Sequence, residues 1–122
     1  MIRGIRGAVD VAENVPDAIR EATRTLLLAL QESNGFRTED VSSILFTATS
    51  DLVAEFPARA ARDLGWSDVP LLCAQEIAKP DGLPRTVRVL VSVETTRRQD
   101  EIVHVYLGGT ACLRPDLKGK RP

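Results

Sequence analysis

The 122-residue sequence is short of the groups that usually carry covalent chemistry. It has one histidine, His104, and two cysteines, Cys73 and Cys112, with no CxxC spacing. With no clustered carboxylates either, the usual ligand counts for zinc or calcium are not met, so no metal is expected. Two separated cysteines make no disulfide framework; they read as reduced thiols, which points to a cytoplasmic protein. His104 lacks a second group that would make it half of a catalytic relay, and reads as structural. Neither GxxxxGK[ST] nor GxGxxG occurs, so no nucleotide cradle and no cofactor is expected. No apolar run approaches the ~20 residues of a membrane span. The start also lacks the basic-then-apolar pattern of a secretory leader. The 16 basic and 17 acidic residues leave a net charge of −1, which argues against a nucleic-acid or anionic-membrane partner. Any attraction for an anion must be local.

What is present is an ordinary globular mixture, 43% hydrophobic and 27% charged. The length suits one domain over residues 1–115, with the polar end "DLKGKRP" at 116–122 expected to be loose. In "ENVPDAIREATRTLLLALQESNG", Ile19, Ala22, Leu26 and Leu30 recur at helical spacing, with Thr23 and Leu27 beside them. Asn14 and Pro16 mark the start of that helix and Asn34-Gly35 its end. "FPARAARDLG" gives a second, short helix, with Pro57 in its first turn and Gly65 as its stop. Strands are expected from Ile2, over Val41 to Ala48 (apolar enough for burial on both faces), and in "VPLLCAQEIA", "RTVRVLVSVET" and "IVHVYL". "GGTACLRPDL" ends the pattern as a strand or turn, its glycine pair too short for a phosphate loop. The order β-α-β-α-β-β-β implies an α+β fold, a mixed five-stranded sheet with two helices on one face. So small a helical layer leaves the other face for water or another subunit.

Strand alternation then locates the polar residues. Val87, Val89, Val91 and Val93 form one aliphatic face, leaving Arg88 on the other. In the first strand Arg6 lies opposite Ile5, Val9 and Val11, and Tyr106 lies opposite Val103, Val105 and Leu107. The strand at 71–78 supplies Cys73 and Glu76. If those faces coincide, two guanidiniums, a phenol, a thiol and a carboxylate converge, with Gly4 and Gly7 clearing space for a bound anion. Each residue also has a plainer reading. A strand arginine can be solvated or ion-paired, Cys73 a small buried apolar residue, Glu76 a strand-end carboxylate, and Arg59 and Arg62 a wet helix face. The constellation can bind dianions and stabilise charge, but it offers no convincing nucleophile–base pair.

Six segments in one order, "IRGIRGA" at 2–8, "FPARAAR" at 56–62, "VPLLCAQE" at 69–76, "RVLVSV" at 88–93, "HVYL" at 104–107 and "LRPDL" at 113–117, carry a family likeness. The sequence resembles the monofunctional chorismate mutases of the trimeric pseudo-α/β-barrel class over nearly its whole length. The resemblance implies an isomerase that converts chorismate to prephenate by a Claisen rearrangement in Phe and Tyr biosynthesis. It implies a cofactor-free homotrimer with active sites in clefts between subunits. By position it assigns Arg88 to the breaking ether oxygen, Arg6 with Tyr106 to a substrate carboxylate, and Glu76 with Cys73 to the ring hydroxyl. Leu72, Ala74 and Gln75 would line the site, and Phe56 and Ala58 would form an apolar wall. Arg59 and Arg62 would stand at the mouth, across a subunit boundary, and Leu113 and Arg114 would approach from the C-terminal segment. Leu72 stands where some relatives have threonine, and Arg59 where some have lysine. A Rid-like imine deaminase and a non-catalytic metabolite-binding trimer are the alternatives.

Overall fold

The computed structural model describes residues 1–113. Five strands form one mixed sheet: β1 (Ile2–Asp10), β2 (Val41–Ala48), β3 (Leu71–Gln75), β4 (Thr86–Glu94) and β5 (Val105–Tyr106), in the spatial order β3-β2-β4-β1-β5. β4 is central and antiparallel to both β1 and β2, whereas β3 and β5 add parallel to β2 and β1 as the two edges. Helices α1 (Pro16–Asn34) and α2 (Arg59–Asp63) cover one face, as the sequence pattern predicts. The expected tail at 116–122 lies outside the described residues.

The covered face is built from residues that alternation selects. Ile5, Val9, Val87, Val89, Val91 and Val93 are buried beneath Leu26, Leu27 and Leu30 of α1. α1 begins at Pro16, whose fixed φ suits the first helical position, and stops at Gly35, whose φ of 66° is costly for any other residue. Asn14 does not cap the helix. Its Oδ1 instead accepts from the backbone N–H groups of Val53 and Ala54 at 2.9 and 3.0 Å, tying down the loop that leads to Phe56.

Three expectations change. β2 is buried on one face only: Ile44 and Phe46 point inward, while Leu45 is exposed. A bulge between Val41 and Ser43 shifts the register, so Val41 and Ile44 both face inward and the alternation is hidden in the sequence. The strand expected in "IVHVYL" shrinks to two residues, because β5 pairs with β1 only at Gly7 and Ala8. Gly7 makes room for a helix, not for an anion. A Cβ there would sit 3.0 Å from methyls of both Leu26 and Leu30.

The segment "GGTACL" forms a 3-10 turn over Gly108–Leu113, and its glycines matter after all. Gly108 has φ +60°, and a Cβ on it would occupy the place of Asp10 Oδ1. Asp10 therefore packs directly against glycine backbone, and Thr110 Oγ1 donates to the carbonyls of Leu107 and Ala8. The end of the described chain is thereby folded back over β1. No helix among the described residues is long and apolar enough to cross a membrane.

Candidate active site

The open face of the sheet presents two rungs of side chains in register. On the first, Ala74, Thr47, Arg88, Ala8 and Tyr106 run from β3 to β5. On the second, Leu72, Leu45, Leu90 and Arg6 follow the same strand order. Residues two apart on a strand share a face, so Arg6 and Arg88, on neighbouring strands, project to the same side. Ala8 separates Arg88 from Tyr106 with only a methyl group. It is buried with Tyr106, and Leu113 packs against the pair.

These residues enclose a cleft of about 290 Å³ lined by Arg6, Thr47, Glu76, Arg88, Tyr106 and Leu113, with Leu45 and Leu90 on its apolar side. Glu76 follows β3 directly, its backbone N–H bonded to the Ala48 carbonyl at 2.9 Å. Its Oε2 accepts from Thr47 Oγ1 at 2.8 Å and lies 3.3 Å from Arg88 Nε. The Arg88 side chain is about half exposed, so this ion pair adds little stability, at most about 1 kcal/mol. Its consequence is positional: it fixes a cation at the middle of the cleft. The Arg6 guanidinium makes no hydrogen bond or ion pair with a described residue, while the Arg6 backbone N–H donates to His104 Nδ1 at 3.0 Å. His104 thus buttresses the edge of β1, in keeping with a structural role.

The remaining candidates do not line this cleft, although Leu72 and Ala74 share its sheet face. Cys73 is not beside Glu76. It shares the helix-covered face with Phe46, its register partner, and two-residue alternation sends Cys73 and Glu76 to opposite sides of the sheet. The thiol instead joins Phe56, Ala58, Arg62 and Leu72 around a hollow of about 440 Å³ at the β3 edge. Ala74 and Gln75, again with Phe56 and Cys73, line a neighbouring hollow of about 430 Å³ beneath the 49–57 loop. None of these residues lines the cleft that holds Arg88. Arg59 is held 3.4 Å from Asp63, one turn along α2. Asp63 is bound more closely by Arg20, at 2.8 Å, and that hydrogen bond holds its carboxyl below the usual carboxylate range. Arg114 lies outside the described residues.

Thr47 is the polar cleft residue that sequence reasoning missed, as it missed Leu45 and Leu90 on the apolar side. Its strand reads as largely apolar, and only the register opposite Arg88 reveals the hydroxyl's place. Among the described residues no group of three or more His, Cys, Asp or Glu side chains is arranged to hold a metal ion. The cleft offers two guanidiniums and a carboxylate on one sheet face, with Arg88 held beside Glu76. Such an arrangement can orient an organic dianion and respond to charge that develops within it.

Comparison with known proteins gives this arrangement a family. The profile of chorismate mutase type I matches residues 2–117. Chorismate mutase AroH of Thermus thermophilus is 50% identical over 119 residues, covering 97% of this chain and 98% of that protein. Chorismate mutase AroH of Bacillus subtilis is 47% identical over 118 residues, covering 96% and 93%. Among solved structures, a chorismate mutase from Clostridium thermocellum superposes with a TM-score of 0.88 at 43% identity, covering 89% of this chain and 97% of that one. The fold, the sequence and the profile agree, and this chain belongs to the type I chorismate mutases.

Proposed function

We propose that this protein is a chorismate mutase, an isomerase that rearranges chorismate to prephenate in aromatic amino-acid biosynthesis. In this reaction the ether C–O bond breaks as a new C–C bond forms within one molecule. No proton, electron or leaving group is exchanged with the protein. Two tasks remain. The first is to hold the flexible dicarboxylate with its reacting carbons close together, which removes an entropic part of the barrier. The second is to match the charge of the transition state, negative on the ether oxygen and positive on the ring.

Arg88 carries the second task. Its guanidinium meets the ether oxygen as negative charge grows there, and a fixed donor so placed is typically worth about 3–4 kcal/mol. The Glu76 carboxylate lies beside the ring, where it takes the ring hydroxyl and favours positive charge. Arg6, with the Tyr106 hydroxyl, takes a substrate carboxylate, and Leu113 closes the C-terminal side. The observation that supports this reading is that Arg6, Glu76, Arg88 and Tyr106, drawn from four strands or strand ends, line one cleft.

The second half of the site comes from a neighbouring subunit of a homotrimer. Leu45, Leu72 and Leu90 lie side by side on the open sheet face and are 38, 67 and 41% exposed. A continuous apolar row of this kind on a sheet favours burial against another copy. Phe56, Ala58, Arg59, Arg62, Leu72, Cys73, Ala74 and Gln75 then reach the cleft of the adjacent chain, which accounts for their separation from Arg88 within one chain. The resemblance assigns Arg114 to the same cleft. The catalytic unit is the domain at 1–115, working in the cytoplasm without a cofactor.

The test is to mix the purified protein with chorismate and follow loss of its ultraviolet absorbance, with prephenate identified by NMR. Stoichiometric prephenate at an enzymatic rate is the expected result. Saturable chorismate binding without turnover would leave only a metabolite-binding trimer, and hydrolysis of imines in place of chorismate turnover would favour a Rid-like deaminase.

A further inference from the structure

Glu76 needs an explanation of its own. A carboxylate that follows the last residue of an edge strand would ordinarily swing freely into water, yet the proposed reaction needs it aimed at the ring. Its hydrogen bond from Thr47 and its contact with Arg88 Nε are both to one oxygen. Oε2 accepts the Thr47 hydroxyl at 2.8 Å and faces Arg88 Nε at 3.3 Å. Oε1 accepts no hydrogen bond from a described residue. The carboxylate is thus pinned by one oxygen and presents the other.

We infer that Thr47 is a positioning residue for the reaction: its hydroxyl locks Glu76 so that Oε1 faces the substrate and Arg88 keeps its guanidinium edge toward the ether oxygen. Three features of the site carry this. Thr47 lies directly opposite Arg88 across the β2–β4 ladder, so its side chain rises from the sheet beside the guanidinium stem. It lines the same cleft as Glu76 and Arg88. Threonine is β-branched and has few side-chain rotamers on a strand, so its hydroxyl is a stiff donor. Without it, Oε2 would be held by Arg88 alone. A carboxylate facing a guanidinium with no third partner rotates toward two-pronged pairing, which draws both oxygens to Arg88. Such pairing would occupy the cation that the ether oxygen requires and turn Glu76 from the ring. The inference rests on the assignment of Glu76 and Arg88 given above.

The test uses Thr47→Val, which keeps the shape and removes the donor, and Thr47→Ser, which keeps the donor. Both would be assayed as the intact protein with chorismate, after circular dichroism and melting curves establish that they fold. Thr47→Val is expected to lower kcat about tenfold with KM within about twofold, and Thr47→Ser to recover most of the loss. In a Glu76→Gln background, Thr47→Val should have little further effect, because its action passes through that carboxylate. A purely structural role would move the melting temperature and leave no coupling to Glu76. If Glu76→Gln lowers kcat but Thr47→Val does not, or if the Thr47→Val loss is undiminished in the Glu76→Gln background, the role of Thr47 is overturned and the site stands. If Glu76→Gln leaves kcat unchanged, the assignment of Glu76 fails and this inference falls with it.

Discussion

At the scale of the residue, the same side-chain type does different work according to which face of the sheet it meets. Gly7 and Gly4 sit three residues apart, yet Gly7 admits α1 while Gly4 faces Leu90 on the open side. Gly7→Ala should therefore destabilise the fold by about 1–3 kcal/mol, the usual cost of overpacking, with KM unchanged. A urea titration beside a chorismate assay checks this, and a raised KM with full stability would reverse the assignment. Asp51 is a second case. Its carboxylate accepts the Thr49 hydroxyl and the backbone N–H of Arg85, which hold its carboxyl below the usual range, the Thr49 bond most strongly. Arg85 has φ 44°, a left-handed conformation unfavourable for arginine, and the Asp51 contact helps to retain it. Because the folded value is the lower one, the stabilisation is complete above the unfolded value and is lost as pH falls through the folded one. Asp51→Asn should thus lower the urea midpoint at pH 7, and the gap to the parent should narrow below about pH 4. A gap that widens in acid would have the wrong sign.

At the scale of the element, the C-terminal turn is the part most dependent on a single backbone position. Gly108 combines a positive φ with direct contact to Asp10, so any side chain there strains the backbone and displaces the carboxylate. Gly108→Ala should cost about 1–3 kcal/mol locally and shift Leu113 away from the cleft. The expected readout is a several-fold rise in KM for chorismate with a smaller change in kcat; an unchanged KM would detach this turn from the site. How well the sequence foretold these elements depended on how regular each one is. β4 was legible because four valines alternate without a break and its neighbours on both sides are antiparallel. β2 was legible as a strand over Val41–Ala48, but its one-sided burial was not, since its bulge flips the alternation between Val41 and Ile44. The opposed placement of Cys73 and Glu76 was available from their odd spacing. The resemblance, which assigns both residues to the ring hydroxyl, points the other way.

At the scale of the whole molecule, the proposed trimer ties the exposed leucine row to a site divided between copies. One copy presents a cation-rich cleft on its open face and, at the β3 edge, a separate hollow bearing Arg62, Cys73 and Phe56. If the edge of one copy completes the cleft of the next, Leu72→Glu should break the trimer and the activity together. Sedimentation and kcat measured on one sample check this, and an active Leu72→Glu monomer would refute the divided site. Complementation is more specific. Arg88→Ala and Arg62→Ala trimers, each impaired, should regain activity when unfolded and refolded together, since about one site in four then combines both native arginines. Sites contained within one chain would regain none. Alternation in the sequence located the open face, but the proposed pairing of edge to cleft has no local signal, because in that trimer the residues concerned would meet only between copies.

The account turns on whether the Arg88 guanidinium stabilises the transition state without entering any bond. The most direct measurement is kcat for Arg88→Ala and Arg88→Lys at saturating chorismate, on protein whose folding and oligomeric state match the parent. Arg88→Ala should lose several orders of magnitude, and Arg88→Lys, which keeps the charge but not the fork, should recover only part. Turnover near the parental rate in Arg88→Ala would contradict the account.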